Sequence, residues 1–176
     1  SSIYKIYIYI GLSFLFKGLV GLLTPFMVII VFRFFSKRKY SFKEIKLFRG
    51  LGIVFIFIMF WLFPAYMTIG YTFLENLFVK QVFERAITGA VHNQPFYYYI
   101  LLFPVVFFPW SIAVIYASYG YIKDFFLKNK ITDLEIFLII WVLITVFYLS
   151  LSKSKLVIYL LPVITPVLIL TFIKFS

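Results

Sequence analysis

Residues 50–70 read GLGIVFIFIMFWLFPAYMTIG, with no charged side chain anywhere in the run. A helix needs about 20 mostly apolar residues to cross the hydrocarbon core of a bilayer, and this stretch has that length. Outward from it, four further runs reach or approach the same length: 18–35, 96–121, 134–151 and 156–175. A sixth, 3–16, is shorter. The breaks between runs carry charge, Pro or Gly. Barrel strands alternate apolar and polar residues, whereas these runs are solidly apolar. A helix satisfies its own backbone in lipid. The expected fold is therefore an all-α integral membrane protein, a polytopic bundle of about six transmembrane helices, with residues 1–176 forming a single transmembrane region.

Composition agrees with that reading. Of the 176 residues 64% are hydrophobic and 13% charged, and mean hydropathy is +1.07. Soluble domains average about 45–50% apolar and about 25% charged. A cytosolic enzyme, a nucleic-acid-binding domain and a disordered tail are excluded at this step. The chain has no cysteine, so thiolate metal sites, disulfides and a Cys nucleophile are excluded as well. A single histidine cannot build a multi-histidine metal site. No cofactor is certain from the sequence; a divalent metal stays open as a cofactor, although no residue pattern supports it. The first residue is Ser1, and no signal-peptide pattern follows it, which reads as an internal fragment of something longer.

The net charge of +11 resides mostly in loops. Arg33, Lys37, Arg38, Lys39, Lys43, Lys46 and Arg49 form one basic connection, opposed only by Glu44, and Lys123, Lys128 and Lys130 form a second. Counting spans puts both on one face with Lys174. The positive-inside rule makes that face cytoplasmic, with topology and contact to anionic lipid as its ordinary roles. The expected location is the plasma (inner) membrane, with the other face outside.

That outer face holds the longest external connection, 71–95, YTFLENLFVKQVFERAITGAVHNQP. Its apolar residues Phe73, Leu74, Leu77, Phe78, Val82, Phe83 and Ile87 recur at three and four, the pattern of a short amphipathic helix on the membrane surface. Lys17, Lys80, Arg85, Lys153 and Lys155 outnumber Glu75 and Glu84 on this face. Outer cations oppose the positive-inside bias. One reason for them is an anionic ligand such as a lipid phosphate, which Arg grips bidentately and Lys meets as a point charge. Snorkelling side chains and solvated loops are the other reading. Lys155 and Tyr159 stand four apart, on one face if the last helix includes both. Pro162 and Pro166 should kink that helix. His92 has three readings: a donor to phosphate, a metal ligand with Glu84, or a polar cap. Phe96, Tyr97 and Tyr98 begin an aromatic belt at the start of a span, or a wall for a lipid or sugar. Pro104, Pro109 and Trp110 suggest a bend within 96–121.

Taken in order, these pieces resemble one family. Phe-Lys-Gly at 16–18 is followed by the basic loop and by a span ending near Trp61 and Pro64. Glu84-Arg85 comes next, then HNQPFYYY at 92–99, Phe-Pro-Trp at 108–110, and SLSKSKLVIYLLP at 150–162. This order resembles the polytopic glycosyltransferases of family 39 and the related 4-amino-4-deoxy-L-arabinose transferases of lipid A. Those enzymes share the GT-C membrane fold with protein O-mannosyltransferases.

The resemblance implies transfer of a sugar from a polyprenyl-phosphate donor to a lipid or protein acceptor at the outer face. By position, Arg85 matches the family's Arg that faces the carrier phosphate. Tyr159 matches the Tyr near that phosphate, with Lys155 and Lys153 beside it, and His92 matches the His before Pro-Phe. Phe96, Tyr97 and Tyr98 become the candidate substrate wall. The acidic residue that family members carry in their first external loop is expected upstream of Ser1, so this chain would supply the donor-phosphate side and no catalytic acid. Gln81 and Val82 stand where arabinose-type members carry a Glu-His pair with its His near a metal, which points away from metal binding and from that specific transferase. Membrane lipids are the other expected partners and nucleic acid is not one. The alternative, from a different class, is a non-catalytic membrane protein that binds or transports a lipid phosphate.

Overall fold

The structure is a computed structural model that describes residues 2–36, 44–77, 94–127, 131–152 and 155–176. Every regular element among the described residues is helical: α1 (Ser2–Lys17), α2 (Leu19–Phe35), α3 (Leu47–Ile69), α4 (Tyr71–Glu75), α5 (Tyr98–Val106), α6 (Ser111–Phe126), α7 (Asp133–Leu151), a 3-10 turn (Val157–Leu160) and α8 (Leu161–Phe175). By length and composition, Leu47–Ile69, Asp133–Leu151 and Val157–Phe175 are able to cross a membrane. They make this an integral membrane protein.

Against the expected count of about six spans, three helices among the described residues are long and apolar enough to cross a membrane, and Val20–Phe35 is a shorter apolar helix. An apolar run sets an upper bound on a helix and does not locate its breaks. The 96–121 run is two helices, α5 and α6, of nine and sixteen residues. They part at residues 107–110, where the Phe108–Pro109 bond is cis. Proline removes a backbone donor and restricts the residue before it, so a helix does not pass through easily. Ser111 Oγ closes the break by donating to the Pro104 carbonyl. α1 and α2, of sixteen and seventeen residues, are separated only by Gly18, whose φ of 60° lies in the left-handed region that suits glycine. Of 71–95, the stretch expected to form a surface helix, the described residues show the short helix α4 (Tyr71–Glu75); residues 78–93 lie outside the described residues.

The chain forms two compact units, Ser1–Val82 and Phe83–Ser176. In the first, α1 packs on both α2 and α3 around buried Tyr7, Ile10 and Val54. The α1–α3 contact is a reciprocal notch. Tyr7 of α1 lies over Gly50, and Phe57 of α3 lies over Gly11. Small residues let helices approach closely in lipid, where burial alone gives no preference for protein over acyl chain. Tyr7 also donates its hydroxyl proton to the Ile45 carbonyl at 2.8 Å, so the ring is fixed at both ends.

In the second unit α8 packs against α6 and α7, and α5 meets α6, α7 and the 3-10 turn. Tyr99, Phe107, Val114, Leu149, Leu160, Val163 and Val167 form its core. At the far end Thr132 and Glu135 make a capping box for α7, which satisfies two otherwise open backbone donors. Glu135 also accepts from Tyr121 at 3.0 Å, and Lys174 pairs with Asp124.

Candidate functional site

The start of the last span departs from the expected helix. Leu156 is extended (φ −125°, ψ 141°), Val157–Leu160 is a 3-10 turn, and α8 begins only at Leu161 with Pro162 in its first turn. Pro162 therefore starts a helix and does not kink one, since its missing N–H falls among those that lack an intrahelical partner anyway. Pro166 is the proline inside α8, and the carbonyl four residues before it loses its usual donor. Lys155 and Tyr159 are consequently not one turn apart on an α-helix. Lys155 lies outside any helix, just before the extended Leu156, and Tyr159 lies in the tight turn after it.

Lys155 is only 3% exposed. Its Nζ donates to the carbonyl of Gln94 at 3.0 Å, 61 residues away in sequence, and to the carbonyl of Ser152. An ammonium has three N–H donors, so one lies beyond these two bonds. Among the described residues Lys155 forms no ion pair with a carboxylate. Burial pushes its pKa below the ordinary value of 10.5.

Tyr99 makes a second tie next to the first. Its ring is 1% exposed and its hydroxyl donates to the Leu156 carbonyl at 3.2 Å. Gln94 and Tyr99 on one side, and Ser152, Lys155 and Leu156 on the other, are thus held together through backbone carbonyls. They belong to two of the motif runs that carry the resemblance, 92–99 and 150–162. The structure brings them to one place, although about sixty residues part them in sequence.

The expected wall residues divide. Phe96 and Tyr97 stand exposed, at 54% and 55%. Tyr98 and Tyr159 are half-buried and pack on the core around Tyr99, Leu160 and Val163. Tyr98 meets Tyr99 edge-on, with ring centroids 5.4 Å apart. Arg85, His92 and Lys153 lie outside the described residues, as do Glu84, Gln81 and Val82. Among the described residues no three His, Asp or Glu side chains come together as a metal site would require.

The carbonyls of Gln94, Ser152 and Leu156 carried no role in the sequence reading, and Tyr99 figured there only as the last residue of the aromatic run. Tyr99 had a signal: Tyr99, Phe103 and Phe107 recur every four residues, the spacing of one helix face. The carbonyls had none, because every residue carries one.

Over 167 residues the chain is 30% identical to the undecaprenyl phosphate-alpha-4-amino-4-deoxy-L-arabinose arabinosyl transferase of Wigglesworthia glossinidia brevipalpis, covering 92% of this chain and 28% of that protein. It is 26% identical over 162 residues to the protein of the same name from Pectobacterium atrosepticum, with 91% and 28% covered. An uncharacterized protein of Aquifex aeolicus is 29% identical over 161 residues, with 92% and 30% covered. The chain thus spans little more than a quarter of the length of the transferases it matches. No family model matches it, and no solved structure does. Over nine-tenths of its own length, this chain is similar in sequence to arabinosyl transferases that are named for an undecaprenyl-phosphate-linked sugar.

Proposed function

We propose that this chain forms the donor-phosphate side of a GT-C membrane enzyme that transfers a sugar from a polyprenyl-phosphate carrier to a lipid or protein acceptor, at the outer face of the plasma membrane. One observation carries the reading: the 92–99 and 150–162 runs, which with Arg85 carry the phosphate-facing positions, are tied together by Lys155 and Tyr99. The relatives' name supports the donor class. The sugar stays unnamed because Gln81 and Val82 replace the Glu-His pair of the arabinose type.

The chemistry asked of these residues is charge stabilisation. As the glycosidic bond breaks, negative charge develops on the departing phosphate. Preorganised donors aimed at it lower the barrier, the more so where water is excluded. In this proposal Arg85 grips two phosphate oxygens through its planar fork. The Tyr159 hydroxyl donates to a third, and Lys153, His92 and the remaining N–H of Lys155 add positive charge. Phe96, Tyr97 and Tyr98 supply apolar surface for the isoprenoid chain or for the face of the sugar.

The test is sugar transfer from a labelled polyprenyl-phosphate donor by membranes containing the native protein. Arg85→Ala and Tyr159→Phe should each lower kcat/KM by about 10²–10³, the usual effect of losing one such donor. Lys128→Ala, on the basic connection of the other face, should leave it unchanged. Equal activity in all three variants refutes the site. Retained donor binding with no transfer in the unmutated protein would favour lipid-phosphate binding or transport instead.

A further inference from the structure

We propose that Lys155 is a positioning residue, a buried strut that sets the 94–99 segment against the 152–160 segment and so fixes where Tyr159 stands. This rests on the reading of the site given above and assigns Lys155 a task beyond that of a point charge near phosphate.

The geometry supplies the argument. Two of the three ammonium protons go to main-chain carbonyls, one on each side of the junction. The side chain is 3% exposed. A lysine that mainly served a mobile lipid phosphate would hold its head exposed, whereas this one turns it into the backbone. Burying an ammonium is costly unless its hydrogen bonds are met, so a lysine placed here is stable only with both carbonyls in reach. Leu156, which accepts the Tyr99 hydroxyl, is the next residue. Residues 155 and 156 are therefore pinned from two directions immediately before the turn that carries Tyr159. With the pair fixed, the phenol has a set origin; with it free, the turn loses that anchor.

Both acceptors of the strut are carbonyls, so the side chains that bear them are irrelevant to it. Gln94→Ala and Ser152→Ala should keep the tie, and Lys155→Met, of similar length and without donors, should lose it. The readout is amide hydrogen exchange in the native protein in lipid nanodiscs, at four reporters beside the junction: the N–H groups of Tyr98, Ile100 and Leu101, which donate to Pro95 and Tyr97, and that of Tyr159, which donates to Leu156. Lys155→Met should speed exchange at all four by tenfold or more and leave α7 unchanged. Gln94→Ala should change none of them. Lys155→Arg, which keeps donors and charge in a larger head, should fall between, and it stands in if the Met variant does not fold.

The transfer assay separates this role from direct phosphate contact. A positioning residue lowers kcat with little change in KM for the donor. Unchanged exchange in Lys155→Met together with a raised KM would overturn the proposal and make Lys155 a phosphate ligand. Since the exchange arm needs no catalysis, it decides the strut even if the protein transfers no sugar.

Discussion

Two glycines of α3, two residues apart, should respond in opposite directions to the same added methyl group. A Cβ on Gly50 would lie 2.2 Å from Cζ of Tyr7 and 2.3 Å from both Cε atoms, while a Cβ on Gly52 meets nothing within 4 Å. Alanine in place of glycine favours a helix by up to about 1 kcal/mol at either position. At Gly52 that gain stands alone. At Gly50 the ring must withdraw from its notch. Overpacking of this kind costs about 1–3 kcal/mol. The withdrawn ring also loses the hydroxyl bond to Ile45, worth about 1 kcal/mol. Gly50→Ala should therefore be less stable than the unmutated protein by about 1–3 kcal/mol, after the helical gain is subtracted. The gap between the two variants is about 2–4 kcal/mol, or roughly 30- to 700-fold in the unfolding equilibrium. Reversible unfolding in mixed micelles, followed by far-UV circular dichroism, measures it. A Tyr7→Ala background should erase most of the Gly50 penalty, since the two residues share one contact. If Gly50→Ala is as stable as Gly52→Ala, the notch does not hold α1 against α3 and the packing account of this unit fails.

Two other outcomes follow from the second unit. Thr132→Ala removes the capping box of α7 and should cost about 1 kcal/mol, read as a lower unfolding midpoint, with Asn at the same position restoring most of it; no loss on Ala would mean the cap does not stabilise the helix. The lowered pKa of Lys155 also has a pH signature. Below that lowered pKa the amine is protonated whether folded or unfolded, and stability does not respond. Between it and 10.5 the unfolded chain holds a proton that the folded chain has released, so stability rises with pH, and above 10.5 it levels off. The difference in unfolding free energy between the unmutated protein and Lys155→Met, measured across that window, should climb with pH; a difference that falls would contradict the burial of the ammonium.

The long helices were legible because periodicity hardly matters to a residue facing lipid on most sides. Apolar length alone located α3, which ends at Gly70 where the run does, and α7, whose Thr132, Asp133 and Glu135 announce its start. What length could not show was where an apolar stretch stops being one helix. Residues 107–110 are as greasy as their neighbours, and only Pro109 marks the break between α5 and α6. Pro162 carried the opposite ambiguity. A proline in a hydrophobic run reads equally as a kink or as a first turn, and the extended Leu156 that settles the matter has no signature of its own.

The site was legible in its parts and illegible in its joints. The two motif runs were plain in the sequence and the structure brings them together. The bonds that join them end on the carbonyls of Gln94, Ser152 and Leu156, and a carbonyl is present whatever the residue type. Lys155 read as a phosphate-facing cation on one helix face with Tyr159, or as a snorkelling interfacial side chain, because its spacing from Tyr159 was all that the local sequence showed. Its burial depends on a segment sixty residues earlier, a relation that no local pattern encodes.

That separation also bears on how the protein is made. A ribosome adds about 5–20 residues per second, so the 61 residues between Gln94 and Lys155 take roughly 3–12 s to synthesise at that rate. For those seconds α5 is present without its partner, and Tyr99 has a hydroxyl with no Leu156 carbonyl to receive it. The junction can close only after α7 has been threaded and the chain has turned back. Every truncated or stalled product that ends before residue 155 therefore carries the aromatic run without its clasp, and a quality-control protease that samples the nascent chain has a window of seconds in which to find it open.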